Sequence, residues 1–339
     1  MYKYNKKDWP LYLIIIGVAA VTFIELKTSF QPGFKIIEDV EAGWVAPSFY
    51  YDQTLVGEKR DEVIYGSELI AHTAKYFGPR GSILQITNGM NCQNCHLDEG
   101  RLKWGNNYSA VSATYPKLRD RSGTIESVAK RVNDCFERSL NGTPIDTNSR
   151  EMKAIISYMH WLGKNVEKGQ RPEGSGIRDL PYLDRAADPA RGQKVFASKC
   201  QRCHGIDGQG MKDATGQEYT YPPLWGEHSY NSGAGLYRIS RFAGYIRDNM
   251  PFGEATHKNP VLTDEEAWDV AAFVNSQPRP EKNMKSDWPD ISKKPVDHPF
   301  GPYLDGFSEV QHKFGPFIPI IEAREKLKDS MAVAHHRPN

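Results

Sequence analysis

The sequence has no excess of charge of either sign. Its 339 residues contain 43 lysines and arginines against 42 aspartates and glutamates, which leaves a formal net charge of +1. Proteins that bind nucleic acid through a general electrostatic field carry a clear positive excess. We therefore expect no nucleic-acid partner.

Long apolar runs are also missing from the body of the chain. Hydrophobic residues make up 39% of the sequence, and the mean hydropathy is −0.60. These values exclude a protein with several membrane spans and indicate a soluble globular body. The length is sufficient for two domains.

The N-terminus is the exception to this pattern. Residues 11–24 are apolar and follow three lysines, at positions 3, 6 and 7. Such a segment, here residues 1–26, is typical of a signal anchor or a cleaved signal peptide, with a passable cleavage site after Ala20. Residues 10–26 reach the lower length limit of a span, and apolar residues continue past Ala20, which favours an anchor over cleavage or a buried helix. A signal anchor and a cleaved signal peptide both predict that the rest of the protein lies in the periplasm. An anchor would also hold it at the inner membrane.

Cysteine is scarce, and its spacing carries most of the information. Four of the five cysteines form two C-x-x-C-H motifs, Cys92–Cys95–His96 and Cys200–Cys203–His204, while Cys135 stands alone. No further Cys/His pair is present to complete a zinc site, and no βαβ pattern suggests a thioredoxin-like redox pair. Two thiols at this spacing reach the two vinyl groups of one porphyrin, and the histidine then lies under the iron. The sequence predicts two covalently bound haem c groups.

The helical signals around the two motifs form a weak internal repeat. Each unit has a helix, a cysteine pair, a long loop, a second helix and a closing helix. The predicted organisation is mainly α, with an N-terminal haem domain over 60–165, a linker over 166–187, a C-terminal haem domain over 188–280 and an irregular proline-rich tail over 281–339.

Local signals place the individual helices. The first helix is expected near Tyr65, and another from Thr124. The closing helices are expected at Ser149–Leu162, capped by Asn148 with Glu151, and after Thr263 with Glu266. Asp188-Pro189 is typical of a helix start, and a helix carrying Leu236 and Ile246 should end before Met250.

The tail has too little periodicity for a domain of its own. Eight prolines occur from Pro278 to Pro319, both included. We expect the tail to wrap the body through aromatic anchors, which are Phe300, Tyr303, Phe307, Phe314 and Phe317.

The second axial ligand distinguishes the two predicted haems. Met250 follows a helix, as the distal methionine does in small cytochromes c. Alignment of the two units places Cys135 at the matching position, where a thiolate would lower the reduction potential and leave a nucleophilic sulfur at the iron. A buried structural cysteine remains the alternative. His72 and His160 are weaker candidates for that ligand, and Met90 precedes its motif too closely.

The surroundings of Cys135 indicate an anion site. Arg131 and Ser139 lie four residues on either side and share its helix face, and Arg121 is expected just before the helix N-terminus. Two guanidinium groups beside the sulfur suit an oxyanion substrate. The alternative role for these arginines is to pair with haem propionates.

These residues carry a resemblance to a known family, the dihaem thiosulfate dehydrogenases. It rests on the two C-x-x-C-H motifs and on the segments Tyr115-Pro116, Arg121–Gly123, Arg131–Gly142, Asn249–Gly253 and Gln311–Pro316. It covers residues 60–320, and the segment around Cys135 is its most specific part.

The resemblance implies that the first haem site catalyses the reaction and that the second haem carries the electrons away. The family couples two thiosulfates to tetrathionate, and some members run the reverse reaction. Cys135 would be both a haem ligand and the sulfur carrier, with Arg121, Arg131 and Ser139 as substrate-pocket positions. Met250 would ligate the electron-exit haem, and Asn249 occupies the place where some members have a switching lysine.

The sequence is also compatible with two other functions. One is a sulfur-oxidation cytochrome that transfers a thiosulfate-derived group to a carrier protein. The other is a plain dihaem electron carrier, which Cys135 argues against. For the dehydrogenase, the expected partners are thiosulfate, tetrathionate and a cytochrome c or membrane-linked electron carrier, with a membrane tether through residues 10–26.

Overall fold

The computed structural model describes residues 43–335, and the described chain is mainly helical, as predicted. The segment over residues 1–26, predicted as an anchor or signal peptide, lies outside the described residues. Within residues 43–335, none of the helices combines the length and apolar character that a membrane span needs.

The first half is built around one helix crossing. Its elements are α1 (Gly57–Ala71), α2 (Thr73–Phe77), a 3₁₀ turn (Cys92–Asn94), the short turn α3 (Leu97–Gly100), α4 (Val111–Thr114), β1 (Lys117–Arg119), β2 (Thr124–Glu126), α5 (Val128–Arg138) and α6 (Arg150–Leu162). Helices α1 and α6 pack closely, because Gly66 has no side chain at their crossing. A Cβ atom on Gly66 would lie 2.0 Å from the Ala154 carbonyl oxygen.

The second half repeats that crossing with different helices. Its elements are α7 (Pro189–Val195), a π-helical turn (Phe196–Cys200), α8 (Gln201–His204), β3 (Met211–Lys212), β4 (Tyr219–Tyr221), a 3₁₀ turn (Gly235–Tyr237), α9 (Ile239–Asn249) and α10 (Asp264–Ser276). Here α7 packs on α10, and a Cβ atom on Gly192 would lie 1.9 Å from the Asp269 carbonyl oxygen. The internal repeat in the sequence therefore corresponds to a repeated close contact of two backbones.

Each half buries its own apolar cluster. The first is centred on α1 and α6 and includes Leu69, Phe136 and Tyr158, with Cys92 packed against it. The second is centred on α9 and α10 and includes Trp268, with Met250 packed against it. Each cysteine motif thus lies at the edge of a separate core.

The helix predicted from Thr124 begins later in the structure, at Val128. Thr124–Glu126 instead forms β2, which pairs antiparallel with β1. The β-branched side chains of this segment favour an extended backbone. Ser127 then caps α5 by accepting a 3.2 Å hydrogen bond from the Lys130 amide, as serine does well at this position.

This correction moves Arg121 away from a helix N-terminus. It lies in the turn that joins β1 and β2, where the Gly123 amide donates to the Arg119 carbonyl at 2.8 Å. The backbone amides at the start of α5 are therefore not the neighbours of Arg121 that the sequence suggested.

The remaining helix predictions differ from the structure mainly at their ends. The first helix begins at Gly57, earlier than expected. Ser149, not Asn148, caps α6, because its hydroxyl accepts from the Met152 amide. The predicted caps at Asp188 and Thr263 are confirmed.

The tail is more regular than predicted. It contains a 3₁₀ turn (Ile291–Lys293), α11 (Glu309–Phe314) and α12 (Ile318–His335). The prolines did not exclude α12, because Pro319 lies in its first turn, where the missing amide has no helical partner to lose. Phe317 is 2% exposed within the second core, and Phe300 stacks on Tyr237. The other expected anchors also make contacts, Phe307 and Phe314 with the second core and Tyr303 with the His312 ring.

The predicted linker, residues 166–187, carries no helix or strand but packs against the first half. The Trp104 amide donates to the Gly174 carbonyl at 2.9 Å, and the Asn106 amide donates to the Gly176 carbonyl at 2.9 Å. The segment is therefore part of the structure around the first motif.

Candidate active site

The first C-x-x-C-H motif presents its histidine in a fixed orientation. The Cys92 amide donates to the Thr73 hydroxyl at 3.0 Å, which holds the start of the motif. The His96 Nδ1 donates to the Asn106 carbonyl at 2.5 Å, and the Tyr108 ring stacks on the imidazole with centroids 4.5 Å apart. This hydrogen bond leaves Nε2 as the lone-pair nitrogen for a metal.

The second motif repeats the arrangement. The His204 Nδ1 donates to the Pro222 carbonyl at 2.9 Å. Burial lowers the pKa of His96 to about 4 and also lowers the pKa of His204, so both rings are neutral at pH 7. A neutral imidazole with its Nδ1 engaged is the form that ligates haem iron.

A cavity opens beside each motif. Their volumes are about 220 Å³ at the first motif and 380 Å³ at the second, against roughly 150 Å³ for the hole left by one large buried side chain. Cysteine, histidine and aromatic side chains line both. Burial raises the pKa of the Cys92 and Cys95 thiols to about 12, so neutral sulfur suits their environment. The residues fit a thioether-linked haem at each motif.

Cys135 lines the first cavity, together with His96. Arg131, one turn before it on α5, and Ser139, the residue that caps the end of α5, line the same cavity. The electrostatic interaction with Cys135 is the largest cause of the raised pKa of Arg131. The structure thus brings together three of the four residues that the sequence associated with catalysis.

Arg121 is the fourth, and it does not line this cavity. Its carbonyl accepts a 2.6 Å hydrogen bond from the Trp288 amide in the tail. Burial and the nearby Arg131 and Arg138 lower the pKa of Arg121 to about 10. Arg121 therefore lies within electrostatic range of Arg131, on the side covered by the tail.

The two histidines considered as weaker ligand candidates lie outside the first cavity. His72 lines the second cavity, where its Nδ1 lies 2.9 Å from the Glu218 carboxylate, and His160 is exposed. Met90 lines both cavities and is 2% exposed. Of the alternatives to Cys135 drawn from the sequence, neither histidine faces the first cavity.

Met250 lines the second cavity with His204, directly after α9. Met211, the other methionine of this unit, is 46% exposed on β3. The side-chain Nδ2 of Asn249 donates to the Trp104 carbonyl at 3.1 Å and to the Tyr245 carbonyl at 2.9 Å. Asn249 is therefore engaged in backbone contacts away from the ligand position.

Sequence reasoning missed part of the first cavity. Lys117 and Arg119 on β1 and Arg171 in the linker also line it. The available signal was the alternation of basic residues around Leu118. It is informative only when this segment is recognised as a strand.

The two cavities adjoin. Met90, Asn91 and Cys95 line both of them. The Tyr245 hydroxyl, on α9 of the second half, donates to the Asn94 carbonyl inside the first motif at 3.0 Å. The two motifs are therefore joined through packed side chains and a direct hydrogen bond.

Comparison with known proteins assigns a domain to each half. Residues 84–167 match the family model described as "SoxA/TsdA, cytochrome c domain". Residues 189–278 match the model described as "Cytochrome c". The two halves are thus both cytochrome c domains.

Curated relatives agree with this assignment. The chain is 38% identical over 216 residues to a thiosulfate dehydrogenase of Stutzerimonas stutzeri, covering 64% of this chain and 67% of the relative. It is 39% identical over 199 residues to one of Allochromatium vinosum, covering 58% and 72%, and 39% identical over 208 residues to one of Psychrobacter arcticus, covering 60% and 61%.

A solved structure supports the same relationship. The chain matches the "as isolated" form of thiosulfate dehydrogenase (TsdBA) from Marichromatium purpuratum with a TM-score of 0.64 and 32% identity. The match covers 75% of this chain and 52% of that one, so this chain spans about half of the solved protein. Two cytochrome c domains and these relatives establish two covalently bound c-type haems. The chain belongs to the family of dihaem thiosulfate dehydrogenases.

Proposed function

We propose that this protein is an oxidoreductase that couples two thiosulfates to tetrathionate and can run the reverse reaction. Family membership supports the substrate, because the curated relatives bear the name thiosulfate dehydrogenase. The observation that carries the proposal is Cys135, which lines the cavity of the first motif with Arg131 beside it.

The proposed ligands make the two haems unequal. His96 and Cys135 would hold the first, and His204 and Met250 the second. A thiolate ligand lowers the reduction potential, whereas a thioether raises it. This order favours electron flow from the first site toward the second.

The first half-reaction forms a bond at Cys135. The Cys135 Sγ and the sulfane sulfur of one thiosulfate join as a sulfur–sulfur bond, which releases two electrons. The two haems, when bound, supply the oxidising capacity for those electrons. Arg131 binds the sulfonate through charge-assisted hydrogen bonds and Ser139 donates a further one. Arg121, which lies within electrostatic range of Arg131, adds positive potential.

The second half-reaction needs no oxidant. The sulfane sulfur of a second thiosulfate attacks the sulfane sulfur bound to Cys135. A new sulfur–sulfur bond forms, and the bond to Cys135 Sγ breaks with its electron pair returning to the cysteine. The products are tetrathionate and the Cys135 thiolate, so the same chemistry read backwards reduces tetrathionate.

Localisation and electron partner follow from the same proposal. Haem c attachment and the apolar segment over 10–26 support a periplasmic protein, with that segment as a tether to the inner membrane or as an export signal. The acceptor would be a cytochrome c or a membrane-linked carrier that meets the second domain.

The test uses the purified dihaem protein with thiosulfate and ferricyanide. We expect two ferricyanides reduced and one tetrathionate formed for every two thiosulfates consumed. Cys135→Ala should abolish turnover while both haems stay attached, whereas Ser198→Ala, which changes an exposed side chain of the π-helical turn, should leave turnover unchanged.

Other products would contradict the proposal. Consumption of thiosulfate only when a carrier protein is added would indicate a sulfur-oxidation cytochrome. Electron transfer without any reaction of thiosulfate or tetrathionate would indicate a plain dihaem carrier. Full activity of Cys135→Ala would exclude the covalent route.

A further inference from the structure

The first cavity is lined by an unusual concentration of positive charge. Lys117, Arg119, Arg131 and Arg171 contribute to its wall. Within the described part of the chain, no aspartate or glutamate lines this cavity. Like charges repel and are costly to gather in a partly buried space, so an anionic occupant is expected.

The second cavity has the opposite character. Its wall carries three carboxylates and one lysine, which are Asp98, Asp213, Glu218 and Lys199. Each haem brings two propionates, yet the wall of the second cavity carries a single lysine, so a cluster of lysines and arginines is not shared by the two cavities. The first haem also has two propionates, whereas the wall of the first cavity carries four cations, so the cations outnumber the propionates.

Two of the four cations that line the first cavity, Lys117 and Arg119, lie on β1 of the β1–β2 hairpin. Lys117 and Arg119 are separated by one residue, so they share a face of β1, while Leu118 between them is 55% exposed. The Arg119 Nε lies 4.0 Å from a buried Glu126 carboxylate oxygen, which offsets its charge. The positive charge of Lys117 is therefore less offset by a nearby carboxylate than the charge of Arg119 is.

Arg171 reaches the same region from the linker. Its Nη2 lies 3.6 Å from the position of a Cβ on Gly176, which also lines the cavity. Burial, Arg119 and Arg171 together lower the pKa of Lys117. Lys117 and Arg171 thus line the same cavity and lie within electrostatic range of each other.

The proposed reaction requires cations for a second anion. The adduct on Cys135 carries one negative charge, and the attacking thiosulfate carries two. Arg131 alone would leave two negative charges in a space that is partly shielded from water. Two further cations balance the charge at the moment of attack.

We propose that Lys117 and Arg171 form a second anion subsite at the first cavity, which binds the sulfonate of the attacking thiosulfate. This inference rests on the proposed function and divides the cavity in two. Arg131 and Ser139 hold the thiosulfate that is bound to Cys135. Lys117 and Arg171 orient the second one so that its sulfane sulfur faces the adduct.

The discharge half-reaction can be isolated for a test. Tetrathionate loads Cys135 without any oxidant, since thiolate and tetrathionate give the adduct and one thiosulfate. The holoprotein is loaded, desalted and checked by intact mass spectrometry. Thiosulfate is then added at increasing concentration, and loss of the adduct is followed by rapid quenching.

Lys117→Gln and Arg171→Gln should each raise the thiosulfate concentration at half-maximal discharge by about tenfold, as expected for the loss of one charge-assisted hydrogen bond. Lys117→Arg should restore the value. Discharge by 2-mercaptoethanol, which has no sulfonate, should be unaffected. Lys153→Gln, exposed on α6, is the matched control.

Three outcomes would overturn the inference. Unchanged half-saturation, with a shifted midpoint potential of one haem, would show that these side chains only hold propionates. Equal slowing with 2-mercaptoethanol would show a general disturbance of the cavity. Failure of the adduct to form on the unmodified protein would contradict the proposed function, and this inference with it.

Discussion

The Tyr245 hydroxyl donates a 3.0 Å hydrogen bond to the Asn94 carbonyl and thereby ties α9 of the second domain to the cysteine motif of the first. Tyr245 is only 4% exposed. Because the carbonyl lies between Cys92 and Cys95, this bond fixes the position of one haem-binding turn relative to the other domain.

Tyr245→Phe should therefore weaken the junction between the domains. The loss of a hydrogen bond to a partly buried carbonyl costs about 1 kcal/mol. We expect a lower urea midpoint for the holoprotein with haem content unchanged. Tyr51→Phe, at an 80% exposed position, is the control, and equal midpoints for the two variants would contradict the prediction.

Arg131→Gln should impair thiosulfate oxidation strongly. The loss of charge-assisted hydrogen bonds to the sulfonate corresponds to a drop in kcat/KM of roughly 10- to 100-fold. Steady-state kinetics with ferricyanide measure this, with Arg191→Gln, an exposed residue of α7, as control. A wild-type kcat/KM would indicate that Arg131 serves a propionate or the fold alone.

Met250→Ala should change one haem and leave the other alone. Loss of a thioether ligand lowers the reduction potential of the haem that it served. A spectroelectrochemical titration should show one midpoint falling and one unchanged. The exposed Met211→Ala should show neither effect, and two unchanged midpoints in Met250→Ala would exclude the ligand assignment.

Gly192→Ala should destabilise the second domain. The added methyl group would lie 1.9 Å from the Asp269 carbonyl oxygen, so α7 and α10 would have to separate. Overpacking of this kind costs about 2 kcal/mol. Gly235→Ala, which meets no atom within 4 Å, should leave the thermal midpoint unchanged, and equal midpoints for both variants would contradict the close crossing.

Acid should loosen the tail through Asp297. Burial would raise its pKa, but the Arg238 guanidinium and the Ser240 hydroxyl outweigh burial and lower it. A carboxyl whose pKa is lower in the folded state stabilises fully above its unfolded pKa, about 3.9, and loses that contribution as the pH falls through the folded value.

Asp297→Asn should accordingly remove part of the stability at pH 7 and flatten its decline below about pH 4. Thermal unfolding between pH 3 and pH 7 would measure both effects, with limited proteolysis to follow the tail. Asp179→Asn, at a 74% exposed side chain, is the control. A decline as steep as in the unmodified protein would contradict the role of Asp297.

The parts of the molecule that the sequence predicted well are those with local physical signals. The cap at Thr263 and the cysteine spacing act over a few residues, so each can be interpreted without knowing the fold. Cys135 could also be singled out from the sequence, because alignment of the repeat with Met250 gave it a reference position, and each residue lines the cavity beside its own motif.

The misplaced parts depend on contacts that are distant in sequence. Thr124 and Ile125 fit a helical spacing, yet they form a hairpin strand that pairs with Lys117–Arg119. Arg121 was assigned to the wrong local structure for the same reason. Arg171 was missed because a segment rich in glycine, proline and charge resembles a free linker until its hydrogen bonds to the first half are known.

The packed segment that follows α6 has a consequence for how this protein can be divided. The family model for the first domain ends at residue 167, yet Arg171, Ser175 and Gly176 line the first cavity. A fragment that ends at residue 167 would contain the first haem motif but would lack these three residues from the lining of the first cavity. A chimaera that exchanges the first domain between relatives should therefore have its junction after residue 176. The folded first domain is longer than the segment that matches the family model.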